Sequence, residues 1–248
     1  MAQSAIIRSD VEPLNKNNER SIIRLKWFGH SCFRMEINKT CLFFDPVRKN
    51  NLLGTTLEPQ KEKYVTAIFV SHDHWDHYDA ETIIALCSAD TEIFCPTSVA
   101  NSLLHRMTFE VSNIQELNKL KEKVVTLKKE DIIKINELQI ICLEASEGLS
   151  FLIVDYDKKL LFMGDSVATK DMIEQKSNVI LFPVWSVKGE EARTEDFLAL
   201  AEGKLCIPMH YQTTPNALPN FYVDIKEIME LLPQVNIKVL EKNRTYHI

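Results

Sequence analysis

Ser71-His72-Asp73-His74-Trp75-Asp76-His77 is the stretch on which the reading of this chain turns. Only seven histidines occur among 248 residues, and three of them fall within the six positions 72–77. Random placement would produce that spacing in roughly one chain in two hundred, before any aspartate is required. The apolar run Ala67 to Val70 stands directly before the cluster and reads as a buried strand. On an extended chain His72 and His74 project to the same side. Asp76 and His77 follow as the chain turns towards a helix and face a second position. Imidazole and carboxylate are ordinary ligands of zinc, manganese and iron, and thiolate is not needed. A loop at the end of a buried strand is also a rigid mount for ligands. The cluster predicts a metal site in preference to a loop of solvated histidines.

Outward from the cluster, the hydrophobic pattern predicts two blocks of strands with helices between and after them. Residues 1–20 are polar, with Pro13 and several asparagines, and read as an extension outside the core. Strand-like runs follow in SIIRLKWF, SCFRMEI and TCLFFD, with turn signals at Gly29-His30 and Asn38-Lys39. Asp79 can cap a helix carrying Ile83, Leu86 and Cys87 on one face. Thr97 or Ser98 can cap another with Ala100, Leu103, Leu104 and Met107 inward. Strands return in VVTL, DIIKI, LQIICL, LSFLIVDY and KLLFM between Val124 and Met163, and again at 179–182 and 205–208. Thr194 is expected to cap a helix with Glu195 and Asp196 in its first turn, stopped by Gly203. A last helix is expected to turn Ile225, Ile228, Met229 and Leu232 inward. Each sheet needs a cover on its apolar face. The expected class is therefore α/β, two sheets with helices outside, in one domain spanning 21–248.

Composition narrows the function classes. Hydrophobic residues make up 45% and charged residues 26%, which excludes wholesale disorder and collagen-like structure. No apolar run reaches the ~20 residues that span a bilayer, and the start lacks the basic-then-apolar pattern of a secretory signal. A cytoplasmic protein is expected. The net charge of −6 lacks the basic surplus of a nucleic-acid scaffold. Lys119, Lys121, Lys123, Lys128 and Lys129 alternate with Glu122, Glu130 and Asp131, as on a solvated face. The six cysteines form no CxxC pair, and Cys41, Cys95, Cys142 and Cys206 lie in apolar runs, so they read as buried free thiols.

HDHWDH resembles the HxHxDH motif of the metallo-β-lactamase-fold hydrolases, and further segments fit that family in the right order. Trp27-Phe28-Gly29-His30-Ser31 followed by Phe44-Asp45-Pro46 resembles the GHS…DP opening of the branch containing ascorbate-6-phosphate lactonase. Phe162-Met163-Gly164-Asp165-Ser166 resembles the strand-end GD motif, and Pro208-Met209-His210-Tyr211 the late PMHY motif. The resemblance covers about residues 22–215. It implies an αββα sandwich of two mixed β-sheets flanked by helices. It also implies one or two ions, zinc or manganese or iron, with His72 and His74 holding one. Asp76, His77 and His210 would hold the other, with Asp165 between them and a bridging hydroxide as nucleophile. Asp76 could orient that hydroxide or return a proton to the leaving group. His30 takes a supporting or a substrate-facing place.

One family feature is missing. The family carries a further histidine at a strand end about twenty residues before the GD aspartate, yet no histidine occurs between His105 and His210. Glu147 falls nearest the expected place, with Glu144 as the alternative; His105 lies off the apolar face of its helix and does not substitute. A carboxylate there would make the site more anionic and favour harder ions. Two functions follow: a metal-dependent hydrolase of a lactone, phosphoester or amide, or a binding or sensing protein on the same fold with an impaired site. A nuclease fits worse on length and charge. The expected partner is a small-molecule substrate, with neither nucleic acid nor membrane, and a homo-oligomer is compatible with the sequence. The loops at 50–63, 185–193 and 212–219 are expected to line the pocket, with Lys188 and Arg193 available to an anionic group.

Overall fold

The computed structural model describes residues 5–7, 22–189, 191–211 and 223–248. The expected 212–219 loop lies outside them. In chain order the strands are β1 (Ala5–Ile7), β2 (Ile23–Gly29), β3 (Cys32–Ile37), β4 (Thr40–Phe44), β5 (Ala67–Phe69), β6 (Glu92–Pro96), β7 (Val124–Leu127) and β8 (Ile132–Ile135). They continue with β9 (Leu138–Glu144), β10 (Leu149–Asp155), β11 (Lys158–Phe162), β12 (Val179–Pro183), β13 (Leu205–Met209), β14 (Asn236–Ile237) and β15 (Thr245–His247). The helices are α1 (Ala80–Leu86), α2 (Thr97–Glu110), α3 (Ile114–Lys121), α4 (Lys170–Glu174), α5 (Thr194–Ala201) and α6 (Ile225–Leu231).

The strands form two mixed sheets. One has eight strands in the order β1-β8-β9-β10-β11-β12-β13-β14, the other seven in the order β15-β2-β3-β4-β5-β6-β7. Each begins antiparallel and becomes parallel, at β11–β12 in the first and at β4–β5 in the second. This is the expected αββα sandwich, and side-chain alternation explains it. Leu42 and Phe44 of β4, Ala67 and Phe69 of β5, and Phe94 of β6 face the layer between the sheets. Cys41 and Phe43, Ile68, and Ile93 and Cys95 on the same strands face the layer containing α1, α2 and α3. Both faces are apolar because both are covered. On the other sheet Met172 of α4, Phe197 and Leu200 of α5 and Ile228 of α6 provide the cover.

Several local expectations need correction. Ala5–Ile7, inside the stretch read as an extension, pairs antiparallel with β8. Helix α2 starts at Thr97 with Pro96 in the capping position, and α5 starts at Thr194 after Arg193, so neither threonine is the cap. Helix α3 was not expected; the Asn113 side chain caps it by accepting from the Gln115 and Glu116 amides. Helix α4 was also not expected, and Thr169 caps it. Met229 is 47% exposed, whereas Ile228 and Leu232 are buried. All six cysteines are free, and all but the half-buried Cys87 are buried. Among the described residues no helix is long and apolar enough to cross a membrane.

Phe44 joins the two sheets. Its ring centroid lies 5.4 Å from Phe69 on its own sheet and 5.1 Å from Phe162 on the other. Phe44→Ala would leave a cavity between the sheets and should destabilise the protein by about 3–5 kcal/mol in denaturant unfolding. A loss below about 1 kcal/mol would contradict this account of the core.

Candidate metal centre

The candidate residues converge because the strands that precede them end at one edge of the sandwich. His30 follows β2 and Asp45 follows β4. The 71–77 loop follows β5, Asp165 lies just beyond β11, and His210 directly follows β13. Glu147 sits in the turn joining β9 to β10. Three of these residues hold left-handed backbone, with φ of 50° at His30, 43° at Asp45 and 62° at His210. Such conformations cost about 1–3 kcal/mol each and persist only where the surroundings fix them. Here the Asp45 amide donates to Phe69 O at 2.9 Å, and the His210 amide to His30 O at 3.2 Å.

Asp45 organises the loop. Fully buried, it accepts from the Ser71 amide and from the Ser71 hydroxyl, both at 2.7 Å. The ring of His77 meets it through Nδ1 at 2.6 Å. A carboxylate only accepts, so these contacts fix protons. Nδ1 of His77 carries one, which leaves Nε2 turned towards the cluster. The single Ser71 hydroxyl proton is spent on Asp45, so Ser71 Oγ accepts from His72 Nδ1 at 2.9 Å. His72 therefore presents an unprotonated Nε2.

Asp76 and Asp165 complete the buried part. Asp76 Oδ2 lies 2.9 Å from His30 Nε2 and 3.3 Å from His210 Nε2. Asp165 splits its oxygens, Oδ1 lying 3.2 Å from His77 Nε2 and Oδ2 3.3 Å from His210 Nε2. His30 is wholly buried, and Trp27 Nε1 donates to its carbonyl at 2.9 Å. A substrate-facing place for His30 is thus not what the structure gives it. It supports Asp76.

Glu147 lies at the open side. Its Oε2 is 2.9 Å from His74 Nδ1 and 3.5 Å from His72 Nε2. Gly148 permits the approach: at φ +67°, a Cβ there would meet Ser71 O at 2.1 Å and His72 Cβ at 2.7 Å. The turn is held by Leu149 N donating to Ser71 O at 3.0 Å and Glu147 N donating to Asp165 O at 3.2 Å. Glu144, the alternative, lies apart from these residues: it is exposed and accepts from Lys129 Nζ at 2.8 Å.

The donor set fits a cation. His30, Asp76, His77 and His210 form one group whose ligand atoms lie within 4.8 Å of one another. His72, His74 and Glu147 form a second, and His72, His77 and Asp165 link the two. His72 Nε2, His77 Nε2 and Asp165 Oδ1 are buried without a hydrogen-bond partner. An imidazole lone pair facing a carboxylate oxygen needs a proton or a metal ion between them. Without metal the proton serves. Burial opposes a charge on His77, but the Asp165 and Asp45 carboxylates outweigh it and hold its pKa well above the usual value. His210 is raised in the same way, burial being outweighed by Asp165 and Asp76. Burial also opposes ionisation of Asp165 and Asp76, yet the surrounding imidazoles hold both carboxyls far below their usual range. Burial lowers His72 to about 4, so it stays neutral. A metal ion entering the buried part must displace the proton on His77.

His30, His72, His74, Asp76, His77, Glu147, Asp165 and His210 lie in this cluster, and Glu144 does not. Asp45 is the residue whose part the sequence did not reveal, although it stands in the quoted FDP segment. A buried aspartate ending an apolar strand was the available signal. Asp45→Asn keeps its size but changes one acceptor into a donor. It should weaken metal binding about 10–100-fold in competition with a chelator. Unchanged affinity would contradict its role in fixing the two imidazoles.

Comparison with known proteins agrees with this geometry. A family described as the beta-lactamase superfamily domain matches residues 41–238. A UPF0173 metal-dependent hydrolase of Pyrobaculum islandicum is 27% identical over 237 residues, which cover 91% of this chain and all of that protein. A UPF0173 protein of Pyrococcus furiosus is 23% identical, again over 91% of this chain and its own whole length. Igni18, a metallo hydrolase of Ignicoccus hospitalis, shares the fold with a TM-score of 0.69 at 20% identity, over 92% of this chain and 98% of that one. The chain belongs to the metallo-β-lactamase superfamily and is a metal-dependent hydrolase.

Proposed function

We propose that this hydrolase acts on a small molecule at a two-ion centre. His72, His74 and Glu147 hold one ion, and Asp76, His77 and His210 hold the other, with Asp165 between them. The observation that carries this reading is the place of Glu147, whose carboxylate lies against both His74 and His72. The family's missing histidine thus has a substitute donor, which argues for a working site over an impaired one. Two imidazoles and a carboxylate on the first ion make manganese and iron(II) candidates beside zinc.

A bound divalent cation supplies a nucleophilic water near neutral pH and polarises the bond to be cut. The chain's own groups do the rest. Asp45 keeps His72 and His77 in their donor tautomers. His30 holds Asp76, which stays ionised and so can orient the attacking water. The GHS…DP opening, which resembles that of the lactonase-containing branch, makes a lactone the first substrate class to test, before phosphoesters and amides. The net charge of −6 supports a small-molecule substrate over nucleic acid.

Protein purified without chelator should carry about two metal equivalents and hydrolyse members of a lactone, phosphodiester or amide panel. Chelation should abolish turnover, and zinc, manganese or iron(II) should restore it. Glu147→Ala should lower metal affinity and kcat/KM by about tenfold or more, with Glu147→His retaining both. No bound metal and no turnover with added ions would sink the proposal.

A further inference from the structure

Strand β12 runs parallel between β11 and β13, pairing Phe162 with Leu181 on one side and Pro183 with Met209 on the other. Its end opens at the same edge as Asp165 and His210. The chain at 184–189 and 191–193 therefore leaves the sheet beside the metal centre, where parallel sheets receive their ligands. The loop is pinned at both ends. The Ser186 hydroxyl donates to Pro183 O at 2.7 Å, the Arg193 amide to Ser186 O at 3.1 Å, and the Thr194 hydroxyl to Val187 O at 3.1 Å.

A cavity of about 410 Å³ lies where this loop meets the metal-bearing turns, lined by Ser146, Val167, Glu191, Ala192 and Arg193. Ser146 is the chain neighbour of Glu147, and Val167 lies two residues beyond Asp165, so the cavity is lined by the segments that carry both candidate ligands. Those two segments are clipped together, Ser146 N donating to Ser166 Oγ at 2.9 Å and Val167 N to Ser146 Oγ at 3.2 Å. The loop's other cation, Lys188, is paired with Glu227 on α6. Arg193 makes no ion pair among the described residues, although it shares its cavity with Glu191.

We propose that Arg193 determines specificity by binding a carboxylate on the substrate while the scissile bond lies over the metal centre; the word substrate here rests on the hydrolase reading above. A guanidinium fork matches a carboxylate in a bidentate pair. Phosphate would also meet Arg193, but Arg193 is the single cation among the described lining residues and Glu191 opposes it, so the one charge of a carboxylate is matched while the second charge of a phosphate dianion is not. The Ser146 hydroxyl supplies a further polar contact on that wall.

Titration of the metal-loaded protein with succinate, succinamide and inorganic phosphate tests this, alongside hydrolysis of mono-4-nitrophenyl succinate and 4-nitrophenyl acetate. Arg193→Ala should weaken succinate binding about 10–100-fold and raise KM for the succinyl ester similarly, with kcat changed far less. Arg193→Lys should recover part of the loss. Succinate bound equally by wild type and Arg193→Ala overturns the proposal, because the metal alone then holds the anion. Phosphate bound more tightly than succinate overturns the carboxylate assignment. Arg193-dependent succinate binding without turnover of either ester supports the cavity assignment and counts against hydrolysis of esters at the centre.

Discussion

The metal-binding geometry of this protein depends on one buried carboxylate. Asp45, at the end of β4, takes the amide and hydroxyl of Ser71 and the Nδ1 proton of His77. Through Ser71 it also sets the tautomer of His72. A single anion thus fixes the start of the loop, aims two rings, and turns the Nε2 atoms of both inward. Burial makes these contacts strong and also makes them obligatory, since an unpaired carboxylate would be costly at that depth.

The sandwich supplies the frame on which that carboxylate works. Alternation along β4, β5 and β6 buries one set of side chains between the sheets and another under the helices. The strands are then held on both faces, and their ends cannot drift. That rigidity sustains left-handed backbone at His30, Asp45 and His210. Gly148 extends the same logic to the β9–β10 turn, where only a residue without Cβ allows the chain to lie against Ser71. Crowding of donors, which would be unfavourable on a loose loop, is imposed here by packing.

Much of this could be read in the sequence because the signals were local. Period-2 apolar runs gave the strands, and the 72–77 cluster, Asp165 and His210 each stood in a recognisable short segment. Glu147 emerged as a candidate because a histidine was missing near it, and only the fold could separate it from Glu144. What escaped reading was long-range or weakly patterned. Asp45 acts through partners 26 and 32 residues away. Helices α3 and α4 are short, and their caps at Asn113 and Thr169 sit among polar residues that resemble loop. The caps of α2 and α5 were misplaced because threonine also serves as a first helical residue.

In the proposed centre Glu147, standing where the family has a neutral imidazole, would add a negative charge to one half and keep the number of donors. The consequence lies in which ion is preferred and how tightly it is held. Diffraction from metal-loaded crystals, recorded at the absorption edge of the bound ion, addresses the arrangement most directly. The account predicts one anomalous peak among His72, His74 and Glu147, with a carboxylate oxygen about 2.0–2.2 Å from the ion if it is zinc, and a second among Asp76, His77 and His210. No peak against His72 and His74, with Glu147 turned to solvent, would contradict it.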